Sequence, residues 1–172
     1  MEEKLKKIRL LLLDVDGILT DGRIVYDNNC VESKAFDVKD GHGLKMLQRA
    51  GIRVGIITGR SSKVVEHRAA ELGIDILHQG AKDKLIPFRS ILSELGIDAE
   101  AVAYVGDDLV DLPILTRVGF SATVADAVDE VGPLVDYVTR RPGGRGAVRE
   151  ICDLILRGAG LWEGVTGRYF GA

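Results

Sequence analysis

The chain has 172 residues, of which 46% are hydrophobic, 28% charged and 5% aromatic. This length and composition suit a single domain, 1–172, with a core of its own, and exclude collagen-like, disordered and disulfide-scaffold chains. With 23 Lys and Arg against 26 Asp and Glu, the net charge is −3, too near neutral for a nucleic-acid or anionic-membrane binder held by bulk charge.

The first apolar run, 8–13, is broken at Asp14. It is too short to span a membrane and lacks the cleavage site of a secretory signal, so a cytoplasmic protein is expected. Cys30 and Cys152 have no metal or redox spacing and are expected to be reduced thiols. Segments 23–26 and 31–38 flank the turn signal Asp27-Asn28-Asn29 and predict a β-hairpin, about 23–38, inserted after the first strand. A helix at 41–50 leads to a strand at 52–57, then a helix at 61–72 and a strand at 74–77. A helix at 83–95, a strand at 101–105, a helix at 109–118 and a strand at 119–124 complete the pattern. Gly51, Gly73, Gly96 and Gly119 stand just past the four helix ends, where a left-handed residue is expected. A last helix, about 146–157, precedes a tail, about 158–172, that carries Trp162, Tyr169 and Phe170. The strands are continuously apolar, as in a parallel sheet buried on both sides. The fold class is therefore α/β, one Rossmann-like domain with helices on both faces of a parallel sheet and an inserted hairpin.

In such a sheet, ligands bind outside the carboxyl ends of the strands. The first strand runs into Asp14-Val15-Asp16-Gly17, the second into Thr58-Gly59-Arg60, and the fourth into Gly106-Asp107-Asp108 with Asp111 a turn later; Lys84 opens the helix after the third. Carboxylates gathered in one place repel unless a cation joins them, and oxygen ligands without Cys or His favour Mg²⁺. Together with a Thr hydroxyl, a Lys and backbone amides, that makes a receptor for a phosphoryl group. Asp14 and Asp16, two apart on a strand, point the same way, so one can attack phosphorus while the other handles the proton.

These motifs, from Asp14-Val15-Asp16-Gly17-Ile18-Leu19-Thr20-Asp21-Gly22 to Gly106-Asp107-Asp108-Leu109-Val110-Asp111, resemble the haloacid dehalogenase superfamily of phosphatases. The resemblance implies that Asp14 is the nucleophile and Asp16 the general acid and base. It also implies that Asp14, Asp107 and the Asp16 carbonyl hold Mg²⁺, that Thr58, Gly59 and Lys84 bind phosphate, and that Asp108 and Asp111 tune the metal site.

Only 42 positions separate Asp16 from Thr58, and 26 separate Thr58 from Lys84, so neither gap holds a cap domain. Phosphoryl chemistry at a site open to water is weakened, so either a large substrate or another subunit must cover it. The finer resemblance, carried by Phe36-Asp37-Val38-Lys39-Asp40-Gly41-His42-Gly43, Gln79-Gly80 and Gly143-Gly144-Arg145-Gly146-Ala147-Val148-Arg149-Glu150, is to the capless 3-deoxy-D-manno-octulosonate 8-phosphate phosphatases. It implies a homotetramer, built on the hairpins, with active sites at subunit interfaces. It implies a sugar-acid phosphate substrate on the route to lipopolysaccharide, with no nucleic-acid or membrane partner. The substrate's carboxylate needs a cation, and Arg60, Arg68 and Arg145 are the candidates. Phosphatases of nine-carbon sialic-type acid 9-phosphates tend to carry an acidic residue at the position of Arg60, which favours the eight-carbon substrate. Other readings are an idle oligomerisation module of this fold and a receiver domain of a signalling pair. The latter would place its phospho-accepting Asp after the third strand.

Overall fold

Four consecutive leucines form the centre of the molecule, and none of them touches solvent. The structure, a computed structural model, describes residues 1–171; Ala172, at the end of the expected tail, lies outside them. In chain order the elements are α1 (Glu2–Leu5), β1 (Leu10–Leu13), β2 (Val25–Tyr26), β3 (Glu32–Ser33), α2 (Val38–Arg49), β4 (Arg53–Ile57), α3 (Lys63–Leu72), β5 (Ile76–His78) and α4 (Leu85–Leu95). Then come β6 (Val102–Val105), α5 (Leu112–Leu115), β7 (Phe120–Thr123), β8 (Tyr137–Val138), α6 (Ala147–Gly158) and α7 (Trp162–Thr166). Six strands make one parallel sheet in the order β5-β4-β1-β6-β7-β8.

Side chains alternate across a strand, so β1 feeds two cores. Leu11 and Leu13 pack with α2, α3 and α6, while Leu10 and Leu12 pack with α4 and α5. Cutting any of these leucines to Ala costs about 2–5 kcal/mol. Asp37 caps α2 by accepting from the Lys39 amide at 2.7 Å. From within α2, Asp40 accepts from the amides of Gly146 (3.3 Å) and Arg149 (2.7 Å) and so caps α6. Among the described residues no helix is long and apolar enough to cross a membrane.

The α/β architecture, the hairpin and the absence of a cap match the sequence reading; several boundaries do not. The second arm of the hairpin is short, because only Glu32–Ser33 pairs and Asp37 already starts α2 at Val38. The helix expected at 109–118 is a 3₁₀ turn, Leu109–Asp111, followed by the four-residue α5. Pro113 lacks an amide hydrogen and cannot continue a helix begun at 109. Gly119 is not left-handed; a Cβ there would lie 2.0 Å from the Glu100 carbonyl oxygen. Strand β8 was not expected. The tail forms α7, with Trp162 and Val165 packed on the α2/α6 core and the Arg157 guanidinium 3.7 Å over the Trp162 ring.

Candidate active site

Strand order reverses at β1, since the chain runs out through β4 and β5 and returns to β6 on the other side. The crevice beyond the strand ends at such a reversal is where ligands bind. It holds a cavity of about 510 Å³ lined by Asp14, Asp16, Thr58, Gly59, Arg60, Lys82, Lys84, Asp107 and Asp108. The loop after β1 turns at Gly17, with φ at +84°, and a Cβ there would sit 1.9 Å from an Asp107 oxygen. Glycine meets both demands, the positive φ and the room taken by the Asp107 carboxylate.

Lys84, sealed from solvent, donates to Asp111 Oδ1 at 2.7 Å and stands 3.0 Å from Asp14 Oδ2. The other oxygen, Asp14 Oδ1, is buried with no partner. Carboxylate oxygens of Asp14, Asp107 and Asp111 lie within 4.8 Å of one another. Asp111 is nonetheless saturated: its Oδ1 also accepts from the Tyr104 hydroxyl (2.6 Å), and its Oδ2 from the amides of Asp107 (3.1 Å) and Asp108 (3.3 Å). The two carboxylates left to meet a cation are Asp14 and Asp107. Burial raises the Asp14 pKa more than Lys84 lowers it. Burial, reinforced by the charges of Asp14, Asp111 and Asp108, pushes Asp107 up to about 7. Burial opposes the charge on Lys84, but Asp14 and Asp111 outweigh it and raise the ammonium's pKa. Three carboxylates crowded against a single lysine, and an all-oxygen donor set, fit a small hard dication.

Two hairpin residues not singled out from the sequence, Glu32 and Lys34, reach the cavity-lining Arg60 and Asp16. Lys34 donates to Asp16 Oδ1 at 2.5 Å, and its Nζ lies 3.5 Å from Glu32 Oε1. Arg60 donates to Glu32 Oε1 at 3.0 Å and to the Tyr26 hydroxyl at 3.1 Å, and its Nε lies 3.4 Å from Asp16 Oδ2. Glu32 Oε2 accepts from the Ser62 hydroxyl. Alternation along the arm expected at 31–38, which puts positions 32 and 34 on one side, was the available signal.

Residues 38–119 match the model of the haloacid dehalogenase-like hydrolases. The chain is 53% identical over 165 residues to the 3-deoxy-D-manno-octulosonate 8-phosphate phosphatase KdsC of Escherichia coli K12, covering 96% of this chain and 88% of that one. The chain belongs to this phosphatase family. A crystal structure of the Yersinia pestis phosphatase superposes with a TM-score of 0.93 at 49% identity, covering 95% of this chain and 88% of that one. The Moraxella catarrhalis phosphatase, crystallised with magnesium ion, phosphate ion and KDO, superposes with a TM-score of 0.95 at 43% identity, covering 98% and 97%.

Within this family fold, two of the three candidate arginines lie outside the cavity. Arg68 packs 5.6 Å over the Phe36 ring and pairs with Glu71 at 3.4 Å, lining a separate groove with Val38 and His67. Arg145 projects into solvent, 3.8 Å from Asp21. Its glycine neighbours act instead as packing: a Cβ on Gly143 would lie 1.7 Å from the Gly17 carbonyl oxygen, and the Gly144 amide donates to Ile18 at 2.9 Å. His42 bonds to Tyr169 at 3.0 Å, away from the cavity.

Proposed function

We propose that the chain is a Mg²⁺-dependent phosphoric monoester hydrolase that converts 3-deoxy-D-manno-octulosonate 8-phosphate to the free sugar acid and inorganic phosphate, in lipopolysaccharide precursor synthesis. The observation that carries it is the buried, unpartnered Asp14 Oδ1 beside Lys84, in a chain sharing half its residues with phosphatases of that name. Asp14 Oδ1 attacks phosphorus as the bond to the sugar oxygen breaks, and the carboxyl of Asp16 gives its proton to the leaving alkoxide. Asp16 then takes a proton from water, whose oxygen attacks the aspartyl-phosphate and releases phosphate. The Thr58 hydroxyl, the Gly59 amide and Lys84 hold the phosphoryl oxygens. Asp14, Asp107 and the Asp16 carbonyl would hold Mg²⁺, which supplies positive charge against the phosphoryl oxygens when bound. Asp111 anchors Lys84 and the 107–108 amides, and Asp108 caps the 3₁₀ turn through the Leu109 amide.

Arg60, which lines the cavity, pairs with the substrate carboxylate. Arg68 and Arg145 reach substrate only across a subunit boundary. A homotetramer supplies one, with the hairpins as its seam: Ile24, Val25, Tyr26 and Val31 are each more than half exposed. Two free thiols, Cys30 and Cys152, suit the cytoplasm.

The test is phosphate release from the eight-carbon ester, a nine-carbon sialic-type acid 9-phosphate and a hexose phosphate, each with Mg²⁺ and with chelator. Fast, Mg²⁺-dependent release favouring the eight-carbon ester is expected. Preference for the nine-carbon ester would overturn the substrate, and slow release from all three the activity.

A further inference from the structure

Lys34 is an unusual residue for a hairpin whose outer side chains face water. Its side chain is only 1% exposed, and its ammonium is spent on Asp16 Oδ1 and, more distantly, on Glu32. Lysine is almost never buried unless paired, and burying it carries a desolvation cost that only close partners offset. The pairing it makes here is with the residue assigned the proton transfers.

Asp16 is held by two cations of different character. Arg60 is partly open to solvent, and its Nε stands 3.4 Å from Asp16 Oδ2 without forming a hydrogen bond. An incoming substrate carboxylate can draw it away. Lys34 is sealed under the hairpin and cannot be competed for. Once Arg60 turns to substrate, Lys34 is the contact that keeps the Asp16 carboxyl aimed into the cavity.

We propose that Lys34 is a positioning residue for the leaving-group step, holding Asp16 so that its carboxyl meets the ester oxygen. This rests on the reading of Asp16 as general acid. It also gives the hairpin a part in turnover apart from assembly, because the arm that exposes Val31 is the one that carries Glu32 and Lys34.

The test uses leaving groups. Alkoxide departure needs a proton, whereas p-nitrophenolate departs without one. Lys34→Met is compared with the unaltered enzyme in kcat/KM, with Mg²⁺, on 3-deoxy-D-manno-octulosonate 8-phosphate and on p-nitrophenyl phosphate. General acid catalysis contributes about 10²–10⁴-fold, so misaiming the acid should cost about tenfold or more on the sugar ester and under about threefold on the aryl ester. Asp16→Asn, run in parallel, should show the same bias more strongly. Equal losses on both esters in Lys34→Met, with the bias intact in Asp16→Asn, overturn the proposal alone and leave Lys34 as a support of the fold. No bias in Asp16→Asn overturns the role of Asp16 and the proposal with it. Should Lys34→Met fail to fold, Lys34→Gln, which fills the space and keeps N–H donors, carries the same comparison.

Discussion

Lys84 stands 3.0 Å from one oxygen of Asp14 and leaves the other buried and unpartnered. The two oxygens of that carboxylate therefore have different work. One is tied to a fixed cation that orients the side chain, and the other is bare. A bare, desolvated oxygen is a better nucleophile than one wrapped in donors.

Replacing Asp14 with Asn removes the proposed nucleophile and one of the three carboxylate charges crowded against Lys84. Phosphate release should fall by more than about 10³-fold. Without metal the melting temperature should hold or rise, because repulsion between Asp14 and Asp107 is relieved. The gain in melting temperature on adding Mg²⁺ should shrink. Calorimetry with and without chelator reads both effects. Retained turnover would refute the assignment.

Asp111→Ala strands the buried Tyr104 hydroxyl and two part-buried amides and leaves the Lys84 ammonium with Asp14 alone. Removing one partner of a buried ion pair costs about 3–5 kcal/mol, and urea unfolding should show a loss of that order. A loss below about 1 kcal/mol would mean that water replaces the carboxylate there.

Asp40 should give stability an unusual slope with pH. Burial raises its pKa, against the amides of Arg149 and Gly146, and the group is pushed up to about 6. The unfolded value is about 3.9. Between the two the folded chain binds a proton that the unfolded chain does not. This group's contribution therefore favours folding more as the pH falls from 7 through 6 towards 4. The stability of the unaltered chain relative to Asp40→Asn should rise over that window in urea titrations. A flat difference would show that the carboxylate stays ionised throughout.

Arg60→Ala should lower kcat/KM on the sugar-acid ester about tenfold, mainly through KM, as a lost charge-assisted contact does. Arg145→Ala should also lower it, because the proposed tetramer brings that residue to a neighbour's substrate; a change below about twofold would mean that each chain completes its own site. A large effect of Arg145→Ala would mean that a neighbouring chain brings that residue to substrate, and measuring both variants against protein concentration would reveal the boundary.

The site was legible where chemistry follows directly on an apolar run. Asp14, Asp16, Thr58 and Asp107 each come just after a buried strand, and parallel strands ending at one edge must bring such residues together. Lys84 was legible by its place at the start of α4. Glu32 and Lys34 were not, because a short polar-apolar arm reads the same whether it faces solvent or folds onto Asp16 and Arg60; only the packing of the hairpin decides. The same holds for Asp40, whose partners are 106 and 109 positions away. β8 pairs only Tyr137 and Val138, too short to show periodicity. The break at Pro113 was there to be read, and the apolar neighbours Leu112, Ile114 and Leu115 masked it.

The packing of Gly143 and Gly144 against the Gly17–Thr20 backbone has a consequence for how the protein is made. The loop that carries Asp14 and Asp16 is made first, and its support at Gly143 follows Asp16 by 127 positions. A nascent chain thus carries every acidic group of the site long before it carries the scaffold that aims them. Phosphatase activity should switch on only when the 143–146 segment emerges and docks, so that chains ending before it are inert.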